Sequence, residues 1–567
     1  MSHEVESQRI SRQAPRDAMT RRRLRHVATT GVAIVLAWAL AACGASGPTG
    51  STGAGSTPDS SNEAGAGDGA AQDTEELTWR VSALVHLDSA RALDNGSKSV
   101  QAITTESLVT LDENLDIIPW LAESWEQADP LTYTYTLRPG VTFWDGSPLT
   151  VEDVVYSIER HNDPDVASIV SAFQDVESVE ATAENEVTIT LTRPLAQFAS
   201  VMAYAPIVSQ AVAEELGEQF GGPGEDTLMG TGPYMVTDFQ ADTSVDLARY
   251  EDYWGELPAW EQVSVVLISD SQATQLAMRA GEIDGAFSVV PSEVDDWRQI
   301  EGAEVEVGAA LSPAFFAWDL RVEPWNDVHV RRAIAHALPQ EQIVETLLPG
   351  AAEPATSLVP KEQWAGIDVP QERVDEIYGS LPTYEYDLDM ARAELEQSAF
   401  PDGFSETVEF ADAKPQLGRV SEALAESLSQ IGIDLEVQEV PLSQEIAAVT
   451  GHEGGFRALS FEGSTVDPSD FPSFMLPSDF ARPGGFNVPH YLNPRVDELI
   501  DVQAETLDPG ERSEQLAEMM QIIAEDLPYL PIWWEADVVA FRESLSMDSF
   551  HPLYWQQGIW PARVSPE

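Results

Sequence analysis

The chain has 567 residues, with 96 Asp plus Glu against 30 Lys plus Arg. Carboxylates for acid–base work are so abundant that a pair at glycosidase spacing would carry little meaning. Nucleophiles and metal ligands are scarce. The one cysteine is Cys43, so no disulfide can close and no second thiol can complete a metal or redox pair. Of the nine His, only His329 and His336 are close enough to share a helix face. Two packing or surface histidines are the plain reading there rather than a metal pair. No Gly-x-Ser-x-Gly elbow, His-Glu-x-x-His pair or Walker loop occurs. Gly230-Thr-Gly-Pro233 lacks the Gly-Lys-Ser/Thr of a phosphate loop and reads as a permissive turn into a strand at Tyr234–Phe239. The inventory points to a non-enzymatic protein with no cofactor and no metal.

Charge narrows the partners. A formal net charge of -66 argues against nucleic acid, which is bound through clustered Lys and Arg, and against a basic membrane-surface patch. Lysine is nearly absent, occurring only at Lys98, Lys361 and Lys414. A dense carboxylate surface suits a high-salt habitat, where screening blunts self-repulsion, and a melting temperature that rises steeply with salt is the corresponding expectation. A hydrophobic fraction of 43% is ordinary for a folded chain.

The first residues read as an address. Arg21-Arg22-Arg23-Leu24-Arg25 precedes an apolar run from Val27 to Ala42, too short to span a bilayer comfortably but suited to a signal-peptide core. The run ends Leu40-Ala41-Ala42-Cys43, which resembles the bacterial lipobox, in which the cysteine is acylated. Residues 1–42 are therefore expected to be a lipoprotein signal peptide. Residues 43–76 are expected to be a lipidated linker, since Gly, Ser, Thr, Ala and acids there cannot bury a core. A tether of this length reaches roughly 30 Å.

The body must position whatever function remains, and its patterns are mixed α and β. Alternation predicts strands at Thr132–Arg138, Val187–Thr192 and Val263–Ile268. Thr150 predicts an N-cap, followed by an apolar stripe of Val151, Val154, Val155 and Ile158. Asp270 or Ser271 caps a second helix, with Leu276, Ala277 and Ala280 facing inward and Gly281 ending it. Further helices are predicted at 327–338, 387–398, 417–431, 494–506 and 509–525.

The order of motifs is distinctive. Ile118-Pro-Trp-Leu-Ala-Glu-Ser-Trp125, Leu131–Val141 and Phe143-Trp-Asp-Gly-Ser-Pro-Leu-Thr-Val-Glu-Asp-Val-Val155 are followed by Gly230-Thr-Gly-Pro-Tyr234, Tyr250–Trp254, Gly281-Glu-Ile-Asp284 and Asp327-Val-His-Val-Arg-Arg-Ala-Ile334. Leu388–Phe404 and Leu527-Pro-Tyr-Leu-Pro-Ile-Trp533 come last. From about Leu77 to the C-terminus the chain resembles the peptide and nickel class of ABC-transporter solute-binding proteins, bacterial solute-binding family 5.

The resemblance implies an α/β fold of the periplasmic-binding-protein-like type II, cluster C, with two lobes and an extra domain around a hinged cleft. One lobe would combine 77–103, 226–308 and 527–567, the extra domain would be 104–225, and the opposing lobe 309–526. Chain crossings near Pro313–Asp319 and Leu527–Trp534 would form the hinge. A peptide or peptide-like solute, a small molecule in either case, would be clamped between the lobes and passed to the transmembrane subunits of an ABC permease. The protein would act as a monomer, held by its lipid on the outer face of the membrane. A carbohydrate or metal chelate, a peptide-signal sensor and, last, a secreted hydrolase are the alternatives.

Peptide-binding relatives carry a stretch of the type Trp-x-Gly-Asp-x-x-Asp-Pro, whose first Asp holds the peptide's amino terminus. It falls here on Phe461-Glu-Gly-Ser-Thr-Val-Asp-Pro468. Phe461 replaces Trp, Ser464 stands where the amine-binding Asp is expected, and Asp467 is kept. Either Glu462 supplies the charge from a neighbouring position or the ligand offers no free amine there. Phe316 and Trp318, on one face of a hinge strand, are expected to wall the cleft. Tyr204 and Asn487 are further candidates by position.

Overall fold

The structure is a computed structural model that describes residues 76–566, apart from Leu93, Glu113, Asn114, 164–165, 167–170, Ser464 and Ser549. The expected signal peptide and nearly all of the linker, with Cys43, lie outside the described residues, as does Ser464.

Local signals set many element boundaries. At Val151–Glu159, Thr150 Oγ1 accepts from the Asp153 N–H while the Asp153 carboxylate accepts from the Thr150 N–H at 3.0 Å, a reciprocal cap. Val151, Val154 and Ile158 are buried beneath it. Asp270 caps Ser271–Ala280, and Gly281, at φ +72°, closes it in the left-handed region. The inward face differs from expectation: Leu276 is 63% exposed and Ala280 also faces out, whereas Thr274, Ala277 and Met278 are buried. The helix turns this stripe toward Ile283, Trp297 and Val538, which form the adjacent core. Leu276 lies off that line.

The largest sheet has eleven strands. At one end Asp434–Val440, Ser405–Ala411 and Phe456–Ser460 run parallel; at the other, Gly285–Ala286, Glu76–Val81 and Gln262–Leu267 do. Two long antiparallel strands, Ala303–Trp318 and Tyr529–Arg542, join these ends. Their register shifts at Val307/Ala310, Ala310/Ser312 and Ala314/Phe315. Parallel strands need helical crossovers that cover both faces, and the two cores flanking 303–318 and 529–542 meet that need. Phe316, Trp318 and Trp533 lie in one core, Phe315, Tyr529 and Trp534 in the other. A separate four-stranded antiparallel sheet, ordered Ala122–Asp129, Thr132–Leu137, Glu186–Leu191 and Val176–Ala183, packs its own core around Tyr135, Val154, Ile189 and Phe198.

A buried carboxylate ties several of the sequence motifs together. Glu106 is 5% exposed and accepts from Trp120 Nε1 and Tyr253 Oη, both at 2.7 Å, from Thr231 Oγ1 at 2.7 Å and from Trp254 Nε1 at 2.9 Å. Burial raises its carboxyl above the usual range, against those four donors. Gly230 and Gly232 allow the approach: a Cβ on Gly230 would sit 1.8 Å from the Thr104 carbonyl, which accepts from the Gly232 N–H at 3.1 Å. The helix Asn95–Thr104 is thereby fixed against the Gly230–Tyr234 turn.

Candidate functional site: charges at the strand ends

In sheets with parallel strands, helix N-termini and loops gather at the carboxyl ends of the strands, and side chains there can converge on a ligand. At Ala411 and Ser460 the chain leaves two parallel strands and places Lys414, Gln416 and Glu462 nearby. Lys414 Nζ donates to the Ser460 carbonyl at 2.7 Å and to Ser460 Oγ at 2.8 Å. The neighbouring strand Tyr529–Arg542 adds Glu535 and Asp537. Glu535 Oε2 accepts from Trp533 Nε1 at 3.0 Å and from Gln416 Nε2 at 3.5 Å.

These carboxyls do not sit comfortably as anions. Burial pushes Glu535 up, with the charge of Glu462 adding and Trp533 and Lys414 opposing. Burial, then the charge of Glu462, pushes Asp537 up to about 7. The Trp555 indole N–H approaches Asp537 without reaching hydrogen-bonding geometry. Both residues are only partly exposed.

Facing them is the helix Asn95–Thr104, started by Asp94, whose Oδ1 accepts from the Ser97 N–H at 2.9 Å. It presents Lys98, whose Nζ donates to Gln556 Oε1 at 3.2 Å. Burial draws this ammonium below its usual range, against the charges of Glu462, Asp470 and Asp94. Lys98, Gln101, Thr105, Tyr204 and Gln556 border a cavity of about 420 Å³. The Tyr204 hydroxyl is buried without a hydrogen-bond partner, and burial, then Asp470, pushes its phenol well up.

Of the residues singled out from sequence, Tyr204 borders this cavity beside Lys98, and Glu462 acts on Lys98 through its charge. Phe461 is half-buried beside Glu462 but turns to the opposite face, against Phe315, Phe474 and Phe486 at 5.4–6.0 Å. Four expectations change. Phe316 and Trp318 do share a strand face, but both are 0% exposed, because helices cover that face. Trp318 stacks on Trp325 and Phe456 and donates its N–H to the Leu527 carbonyl at 2.9 Å. They are core, not cleft walls. Asp467 is 1% exposed and held in a bidentate pair with Arg512 at 2.7 and 2.8 Å. It braces its loop, its donors all coming from Arg512 and Ser469. Asn487 is fully buried, donating to the Leu476, Pro477 and Tyr491 carbonyls and accepting from the Tyr491 N–H. It is a loop staple.

Sequence reasoning missed Lys98, Lys414, Glu535 and Asp537 as site residues. One signal was present: two of only three lysines in the chain sit here.

The model of the bacterial extracellular solute-binding proteins, family 5 middle region, matches residues 116–482. This chain belongs to that family. The family 5 protein is 26% identical over 470 residues to the glutathione-binding protein GsiB of Salmonella typhi, a match covering 81% of this chain and 89% of the relative. Among solved structures, the ABC transporter-associated periplasmic binding protein DppA of Helicobacter pylori, in complex with the peptide STSA, superposes with a TM-score of 0.71 at 22% identity. That match covers 87% of this chain and 98% of the other. NikZ of Campylobacter jejuni, in complex with Ni(L-His), gives a TM-score of 0.73 at 20% identity over 87% and 99%. The fold is therefore the α/β periplasmic-binding type expected from the motifs, and its family work is extracytoplasmic solute binding.

Proposed function

We propose that this protein is the solute-binding subunit of an ABC importer, taking a peptide or peptide-like solute between the Lys98 helix and the strand ends around Glu462. What supports this is opposite charge meeting from the two expected lobes: Lys98, which borders the cavity, lies in the field of Glu462, and Glu462 in turn acts on Glu535 and Asp537. Buried charge is tolerated only when paired, and a zwitterion offers a carboxylate to Lys98 and an amine to Glu462. Glu462 then takes the amine-holding role that Ser464 cannot.

The boundaries expected from the resemblance, with lobes 77–103, 226–308 and 527–567 against 309–526 and the extra domain 104–225, are part of this reading. Three register shifts where 303–318 passes 529–542 give the strands a place to bend. Opening would break the contacts of the Ala196 N–H with the Ala504 carbonyl (2.7 Å) and of Ser469 Oγ with Gln197 Oε1 (3.2 Å). Acylated Cys43 and the linker would keep the monomeric protein at the outer face of the membrane, where a permease receives the cargo and no bond in it is broken.

Mass spectrometry of the co-purifying solute, backed by a thermal-shift screen of peptides, oligosaccharides and nickel chelates, tests the proposal. Intact peptides that raise the melting temperature are expected. Stabilisation by oligosaccharides or nickel chelates alone, or a cleaved product, overturns it. Replacing Cys43 by Ala should release the protein from membranes.

A further inference from the structure

Several carboxylates elsewhere in the protein pair with arginine. Asp88 meets Arg160 at 2.9 Å through both oxygens, Asp467 meets Arg512, and Glu409 meets Arg457. Glu462, Glu535 and Asp537 break that pattern. Among the described residues none of the three forms an ion pair; Glu462 adds to the cost of charging Glu535, and Glu462 and Glu535 to that of charging Asp537. Lys414 is the cation on their side, and two of its three donors are spent on Ser460.

A second observation points the same way. Gln416 is 7% exposed, and its Oε1 is a buried acceptor with no partner. Its Nε2 donates toward Glu535, so turning the amide over would set oxygen against carboxylate. The acceptor, on the amide that reaches Glu535, therefore lies beside that carboxyl needing a donor that the described residues do not supply. Three acidic groups and an unfilled amide oxygen call for a group with several N–H donors and a positive charge, as an ammonium or guanidinium has.

We propose that Glu535, Asp537 and Gln416 form a cation subsite for a basic side chain, Glu462 being left to the peptide's amine, so that the preferred cargo is a peptide carrying lysine or arginine. This rests on the peptide reading above and sharpens it. Lys98, across the crevice, is left to receive the ligand's carboxylate, and the net charge of a lysine- or arginine-containing peptide matches the acidic excess of the site.

Calorimetric titration of the full chain at pH 8 with Ala-Lys-Ala, Ala-Arg-Ala, Ala-norleucine-Ala and Ala-Glu-Ala tests it. The lysine and arginine peptides are expected to bind at least tenfold tighter than the norleucine peptide, which matches lysine in length without its charge. Asp537→Asn and, separately, Glu535→Gln should reduce that ratio to about threefold or less. Equal affinity for the lysine and norleucine peptides in the wild-type protein overturns the cation subsite while leaving peptide binding intact. A ratio preserved in both variants overturns the assignment to these residues. Oligosaccharide binding with no response to any peptide overturns both readings together.

Discussion

Asp467 separates the two roles that a family pattern can conceal. Its carboxylate accepts from Arg512 Nη1 and Nη2, and from the Ser469 N–H and hydroxyl at 2.9 and 2.6 Å. Arg512, 2% exposed, has Gln503 and the Ser469 hydroxyl as its further partners among the described residues, with Gln503 Oε1 at 3.0 and 2.9 Å. Asp467→Ala would leave a buried guanidinium without its counter-charge. Removing one partner of a buried pair costs about 3–5 kcal/mol, a large share of the ~5–15 kcal/mol that holds a typical domain. Urea denaturation followed by tryptophan fluorescence should show that loss. Asp467→Ala combined with Arg512→Met should lose less than the two single changes added, because the second removes the orphaned charge. The folded fraction of Asp467→Ala should keep its peptide affinity within about threefold. Unchanged stability together with a tenfold loss of affinity would refute the brace and restore Asp467 to the ligand.

Two further outcomes follow from burial. Trp318→Ala should cost about 3–5 kcal/mol in the same denaturation assay, since it opens a cavity between Trp325 and Phe456, and should leave peptide affinity unchanged; a binding loss without destabilisation would return Trp318 to the cleft. The pH profile should show opposed contributions from His161, His551 and Asp537. Burial holds both histidines at about 4, so between pH 6.5 and 4 the unfolded chain binds protons the native state refuses, and each histidine removes up to about 1.4 kcal/mol per pH unit on acidification. Asp537, at about 7, works the other way: the native state keeps its proton between pH 4 and 7, so this group destabilises as pH rises. Asp537→Asn should therefore be more stable than wild type at pH 8, with the advantage fading toward pH 4; an advantage independent of pH would count against the raised carboxyl.

Where the physics is local, the sequence was legible. Thr150 and Asp153 lie three residues apart and cap each other, and the alternating Thr132–Leu137 reads directly as a strand. Alternation also placed Phe316 and Trp318 on one face correctly. It could not tell that helices cover that face, which depends on distant segments such as Val328–Ala337 and Pro415–Ser429. The same limit explains the missed charges. Lys98 meets the field of Glu462, and Asp467 meets Arg512, only because separate crossovers return the chain to the same place. The motifs Ile118–Trp125, Gly230–Tyr234 and Tyr250–Trp254 were each visible, but their common purpose was not, because it rests on one buried residue, Glu106, outside all three.

The central claim is that one solute is gripped from both sides of the crevice. Hydrogen–deuterium exchange of the full chain, with and without saturating Ala-Lys-Ala, measures this directly. Slowed exchange is predicted together in Asn95–Thr105, in 411–416, in 456–463 and in 529–537. Protection confined to one side, or located away from these segments, would contradict the account.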